Sequence, residues 1–206
     1  MQIQLRPYHN QDFQPLEKII RKTWHYDQFC GPKAAARLAR VFLSSCLTNY
    51  TFSRVAVIDG KVEGIILARN NSTHRCPLPA RLRQIRALLS LYLSKDGRAA
   101  MQIFGNVNGI DKELLSGCGK AYPAELSLFA VSPACRGKGA GKKLFRSALH
   151  YMRQERLKEF YLFTDTTCNY GFYEHQGMTR RCEKEHIFYV RGQRSKMNFF
   201  IYDLTL

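Results

Sequence analysis

Between Glu125 and Lys142 the chain reads ELSLFAVSPACRGKGAGK: an apolar strand, a Ser-Pro turn, then Arg136-Gly137-Lys138-Gly139-Ala140-Gly141-Lys142. A run with Leu144, Phe145, Ala148, Leu149 and Met152 at helical spacing follows at once. Glycines ahead of a helix clear side chains from the backbone, and the unpaired N–H groups of the first turn point at whatever approaches. The helix dipole and the charges of Arg136, Lys138, Lys142 and Lys143 act in the same direction. The chemistry is anion binding, and a phosphate-bearing ligand fits it. There is no Gly-Lys-Ser/Thr to hold magnesium and no acidic residue placed for a ribose, which excludes a P-loop and a Rossmann unit.

The surrounding pattern supplies elements to position this loop. Residues 2–6 alternate as a short strand, and Phe13, Leu16, Ile19, Ile20 and Trp24 mark a helix over Gln11–Phe29. Gly31-Pro32 breaks it and opens a second helix over 33–48. Strands Arg54–Ile58 and Val62–Ala68 flank Asp59-Gly60, a hairpin turn signal. From about Asn70 to Lys120 the pattern predicts helices: one after Pro77 and Pro79 through Tyr92, then shorter pieces over Ala99–Phe104 and Ile110–Leu115. Ala124–Val131 and Phe160–Thr164 are strands, and Asn169–Gln176 is a short helix ended by Gly177. His186–Val190 and Asn198–Tyr202 form a last hairpin around Arg191-Gly192-Gln193. Strands and helices in this order give an α/β or α+β sheet domain, and 206 residues fit one domain.

Composition narrows the setting. Neither a signal peptide nor a membrane-spanning run is legible. Seven scattered cysteines without a CxxC pair fit reduced thiols, and no zinc spacing occurs; Cys135 and Cys168, beside the motifs, read as ordinary thiols. The expectation is a cytoplasmic protein without a metal. A net charge of +16 attracts polyanions such as a nucleotide, RNA or acidic protein tails, but no basic tail or RNA-binding module stands out.

The strand, the Arg136-x-x-Gly139-x-Gly141 loop, the helix after it, the next strand and the Tyr173-x-x-x-Gly177 helix end together resemble the GNAT acetyltransferase superfamily over about residues 121–182. The resemblance implies a mixed, mostly antiparallel sheet flanked by helices, with a helical insertion at 70–120 between the third and fourth strands. It implies acetyl-CoA as co-substrate, its pyrophosphate on Arg136, Gly137, Lys138, Gly139, Ala140, Gly141 and Lys142. The pantetheine arm would pair beside Phe129, Ala130 and Val131, whose N–H groups near Phe129 and Ala130 would also hold the oxyanion. The acetyl group would pass directly to an amine, Glu125 taking its proton and Tyr173 protonating the departing thiolate, with Tyr170 as fallback. Strand alternation puts Glu125, Ser127 and Phe129 on one face unless a bulge intervenes. The family's asparagine position is occupied here by Thr166, so Asn169 is either a cofactor contact or a cap, with Asp165 positioning the turn.

The acceptor stays open. The insertion covers the acceptor site, thickens the core or builds a homodimer interface. An RNA-linked amine such as an aminoacyl-tRNA is a second reading, using the charge. A CoA- or nucleic-acid-binding module without catalysis is the third.

Overall fold

The structure, a computed structural model, describes residues 2–190 and 193–206, with the side chains of residues 102–104, 106, 190 and 193 excepted. Seven strands share one sheet in the order β1-β2-β3-β4-β5-β7-β6: β1 Ile3–Arg6, β2 Phe52–Ile58, β3 Lys61–Asn70, β4 Ala124–Val131, β5 Glu159–Asp165, β6 Thr179–Val190 and β7 Gln193–Thr205. Every neighbouring pair is antiparallel except β4 and β5. That parallel pair is held only at its start, Ala124 facing Phe160 and Glu125 facing Tyr161. Beyond those residues the two strands part, and the sheet splits into two wings.

Local chemistry sets the boundaries. Asp59 and Gly60 have φ of 48° and 76°, the left-handed pair a two-residue hairpin loop needs. Helix α1 (Phe13–Thr23) stops short of the single helix expected to Phe29. His25 turns left-handed at φ 51°, and a separate turn, α2 (Tyr26–Phe29), follows. The half-buried Trp24 ring packs on Phe42 at 5.0 Å where the first helix ends. Pro32 opens α3 (Pro32–Cys46) behind the extended Gly31.

The insertion holds α4 (Leu78–Tyr92) and α5 (Lys95–Gly117). The two short helices expected over Ala99–Phe104 and Ile110–Leu115 are one continuous helix. Ser94 caps it, its Oγ accepting the Gly97 N–H at 3.1 Å. Gly105 and Gly109 do not break it, because burial of Ala100, Ile110 and Leu114 holds the helix across them. The last hairpin is longer than the pattern indicated, and its turn around Arg191 and Gly192 lies outside the described residues.

Three packed clusters clothe the sheet. Helix α6 (Ala140–Gln154) lays Leu144, Phe145, Ala148 and Met152 on one face, against Leu126, Phe160 and Tyr202. On the other, α1 and α3 cover Val55, Ile65, Leu67, Leu128 and Ala130. Ile110 and Leu114 of α5 pack with Tyr122, Tyr161, Phe199 and Ile201. The insertion therefore supplies core as well as surface. A buried Phe or Leu contributes about 1.5–3 kcal/mol.

Candidate active site

The parting of β4 from β5 opens a cleft of about 580 Å³. At one end the chain leaves β4 through a short 3-10 turn, Pro133–Cys135, anchored by the Ser132 N–H on Glu63 O at 2.7 Å. Gly137 and Gly139 then adopt φ of 75° and 83°, a conformation that favours glycine, and α6 begins at Ala140. Among the described residues, no backbone acceptor takes the N–H groups of Ala140, Gly141 and Lys142. Arg136, Gly137, Gly139, Gly141 and Lys142 line the cleft. Lys138 does not, and Ala140 is fully buried in the core, so its contribution is its backbone alone.

The middle of the cleft is the free stretch of β4. Phe129, Ala130 and Val131 all line it. The Phe129 ring sits 5.4 Å from Phe172 and 6.3 Å from Tyr173, both on the short helix α7 (Gly171–His175). Tyr173 is almost wholly buried yet lines the cleft. Among the described residues its hydroxyl has no hydrogen-bond partner. Burial first, then the nearby Cys168 and Asp165, hold its pKa above the ordinary tyrosine value, so the proton stays on. Tyr170 is not in the lining; its ring packs on Phe200 at 5.2 Å.

Asn169 also lines the cleft, and the helix after it begins at Gly171 without a side-chain cap. Asp165 positions the turn, its carboxylate accepting the Thr167 N–H at 2.7 Å. Thr166 ties the turn to β7 through Asn198. Burial and then the Asp165 charge push the Cys168 thiol up to about 12, and burial first raises Cys135 as well. Neither thiol is activated.

Glu125 stands at the root of the parting strands. A bulge lies between it and Phe129: Leu67 opposes Leu128 but Ala68 opposes Leu126, leaving Ser127 as an extra residue. Before the bulge, Ala124 and Leu126 pack on the α6 face; after it, Phe129 and Val131 do. Glu125 and Phe129 therefore face opposite sides, which corrects the simple alternation. Glu125 is paired with Arg69 Nη2 at 2.6 Å and accepts the Tyr161 hydroxyl at 3.2 Å. It lines the cleft.

Asp111 escaped the sequence reading. It comes from α5 and lines the same cleft. Burial, then the charges of Glu125 and Asp165, raises its carboxyl from 3.8 to about 7. Helical spacing around Ile110 and Leu114 could have placed it beside a buried stripe, but nothing local marks it as facing a cavity. Thr23, Trp24 and Phe42 line the cleft as well. Among the described residues no group of three or more His, Cys, Asp and Glu could hold a metal ion, and no helix is long and apolar enough to cross a membrane.

A family model described as Acetyltransferase (GNAT) family matches residues 22–178. No curated protein matches the chain in sequence. Among solved structures, a GCN5-related N-acetyltransferase from Kribbella flavida is similar at TM-score 0.57 and 14% identity, with 99% of this chain and 98% of that one covered. The PaiA N-acetyltransferase from Thermoplasma acidophilum, in complex with coenzyme A, is similar at TM-score 0.52 and 15% identity, with 100% of both covered. The ribosomal-protein-S18-alanine N-acetyltransferase from Escherichia coli gives 0.53 and 11%, over 99% of this chain and 94% of that one. At such identities the likeness is one of fold.

Proposed function

Given that the chain belongs to the acetyltransferase (GNAT) family, we propose that it moves an acetyl group from acetyl-CoA directly to an amine. The observation that carries the reading is the continuity of the cleft. It runs from the unpaired N–H groups at the start of α6, along β4 where β5 has parted from it, to the Tyr173 hydroxyl. A diphosphate binds at the first. The pantetheine arm extends along the second as an added strand would, and the acetyl carbonyl meets N–H groups near Phe129 and Ala130 that stabilise its oxyanion. Tyr173, held protonated, protonates the departing thiolate. Asn169 and the side chain of Lys142 complete the cofactor contacts. No thiol in the cleft is ionised enough to carry an acyl intermediate, in keeping with direct transfer.

The whole chain acts as one catalytic domain. Its seven free thiols suit a reducing compartment, the basis for assigning it to the cytoplasm.

Binding is the direct test. Acetyl-CoA or CoA at a hundredfold excess over Kd stabilises by about 2.7 kcal/mol, raising Tm by roughly 5–10 °C in a domain of this size. No rise with either compound would sink the cofactor assignment. Release of free thiol on adding amines then reads the reaction itself.

A further inference from the structure

We infer that Asp111, carried into the cleft by the insertion helix α5, takes the proton from the acceptor, and that the acceptor is a protonated primary amine borne on an apolar body. The inference rests on the acetyl-transfer reading above. Asp111 and Glu125 both line the cleft, but they differ in one respect. Glu125 already has Arg69 as counter-ion. Asp111 has no ion pair or hydrogen bond among the described residues. An unpaired carboxylate in a largely apolar cavity is costly, and a cation arriving there relieves the cost.

No side chain packed around α5 does this. The charged groups acting on Asp111 are Glu125 from β4 and Asp165 from β5, both negative. Lys184 of β6 is taken by Glu113 of α5, and Lys196 of β7 is paired with Glu185. Arg83 and Arg86 of α4 line a separate groove with Arg40. The cations of α3 are Lys33, Arg37 and Arg40; none of them is among the charges acting on Asp111, and Arg40 is paired with Glu17 of α1.

A second unpaired polar group stands in the wall of the same cleft. Thr23 lines the cleft at 9% exposure, and its hydroxyl has no hydrogen-bond partner. An orphaned buried hydroxyl is expensive unless a bound molecule uses it. Trp24, Phe42, Val107, Phe163 and Phe199 also line the cleft. They suit an apolar body, with the ammonium directed at Asp111.

The step balances as follows. The ammonium passes one proton to Asp111, and the amine lone pair attacks the thioester carbonyl carbon. The N–C bond forms, the C–S bond breaks, and the thiolate takes the Tyr173 proton. Nitrogen sheds its second proton to restore the tyrosine, and Asp111 releases its own to water, one proton net per turnover.

Thiol release by wild type, Asp111→Asn and Asp111→Glu tests this with three probes: 2-phenylethylamine, a tetrapeptide with a free N-terminal methionine, and spermidine. We expect kcat/KM for the favoured probe to fall about 100-fold in Asp111→Asn, with acetyl-CoA binding by calorimetry unchanged. The wild-type profile should carry an acidic limb near pH 7 that Asp111→Asn lacks and Asp111→Glu partly restores. The first two probes separate a small amine from a peptide terminus as the source. Preference for spermidine would overturn the apolar body. An Asp111→Asn enzyme with undiminished kcat/KM and the same limb would overturn the role of Asp111 while leaving acetyl transfer standing. Failure of wild type to bind acetyl-CoA would overturn the reading beneath both.

Discussion

Two groups in one cleft, Tyr173 and Asp111, have pKa values raised first by burial, and each has a measurable consequence. Tyr173→Phe removes one hydroxyl without emptying its place among Phe129, Phe172 and Tyr202. Turnover should fall about 100-fold while acetyl-CoA affinity stays within about twofold; unchanged turnover would remove Tyr173 as the acid. Asp111 makes a prediction about stability. Its folded value, about 7, lies above the ordinary 3.8, so the folded state binds the proton more tightly. The resulting penalty is absent below about pH 4, grows as pH rises to 7 and is complete above that. Asp111→Asn should therefore raise Tm at pH 8, by as much as about 4 kcal/mol in stability, and confer no gain at pH 4. Thermal unfolding at the two pH values measures it, and equal Tm shifts would contradict the assignment. A variant that gains stability and loses turnover is the expected mark of a group kept for chemistry.

At the scale of elements, local signals and long-range ones separate cleanly. The Asp59-Gly60 turn, Pro32 at a helix start and the glycines before α6 are local, since each residue type meets its conformational demand within a few positions. The loop, β4 and Tyr173 were legible for that reason, as was the mixed sheet. The unbroken run of α5 was not, because the apolar spacing showed only the pieces Ala99–Phe104 and Ile110–Leu115, and packing against the sheet joins them across Gly105 and Gly109. The face of Glu125 depends on the bulge at Ser127, which is a property of the β3–β4 register and not of β4 alone. Asp111 was hidden for the same kind of reason: the charges that act on it, Glu125 and Asp165, stand on the strands β4 and β5 and not near it in the chain. Open space surrounds the Cβ positions of Gly105 and Gly109. Replacing each by alanine should stabilise by about 0.5–1 kcal/mol, read as a higher urea midpoint. A decrease would mean that α5 needs its glycines for something other than tolerance.

Taken whole, the molecule carries +16 at neutral pH, and the cleft divides that charge unevenly. Arg136 and Lys142 stand at the phosphate loop, Glu125 at the root where β4 and β5 part, and Asp111 and Asp165 also line the cleft. An anionic cofactor and a cationic acceptor thus meet opposite potentials in one channel. Raising ionic strength from about 0.05 to 0.3 M should lower kcat/KM for acetyl-CoA several-fold through slower association; a flat salt profile would show that the surface excess plays no part. The split between β4 and β5 leaves a strand edge inside the sheet with nothing opposite it beyond Glu125 and Tyr161. Amide groups of β4 that point to that edge and not to β3 have no strand to pair with, so in the free protein they should exchange hydrogen for deuterium faster than those of Ala124 and Glu125. A molecule lying along the edge closes it. The sheet would then be completed by its own substrate, and the exchange rates of a few amides in 127–131 would report, turnover by turnover, how much of the protein is charged with it.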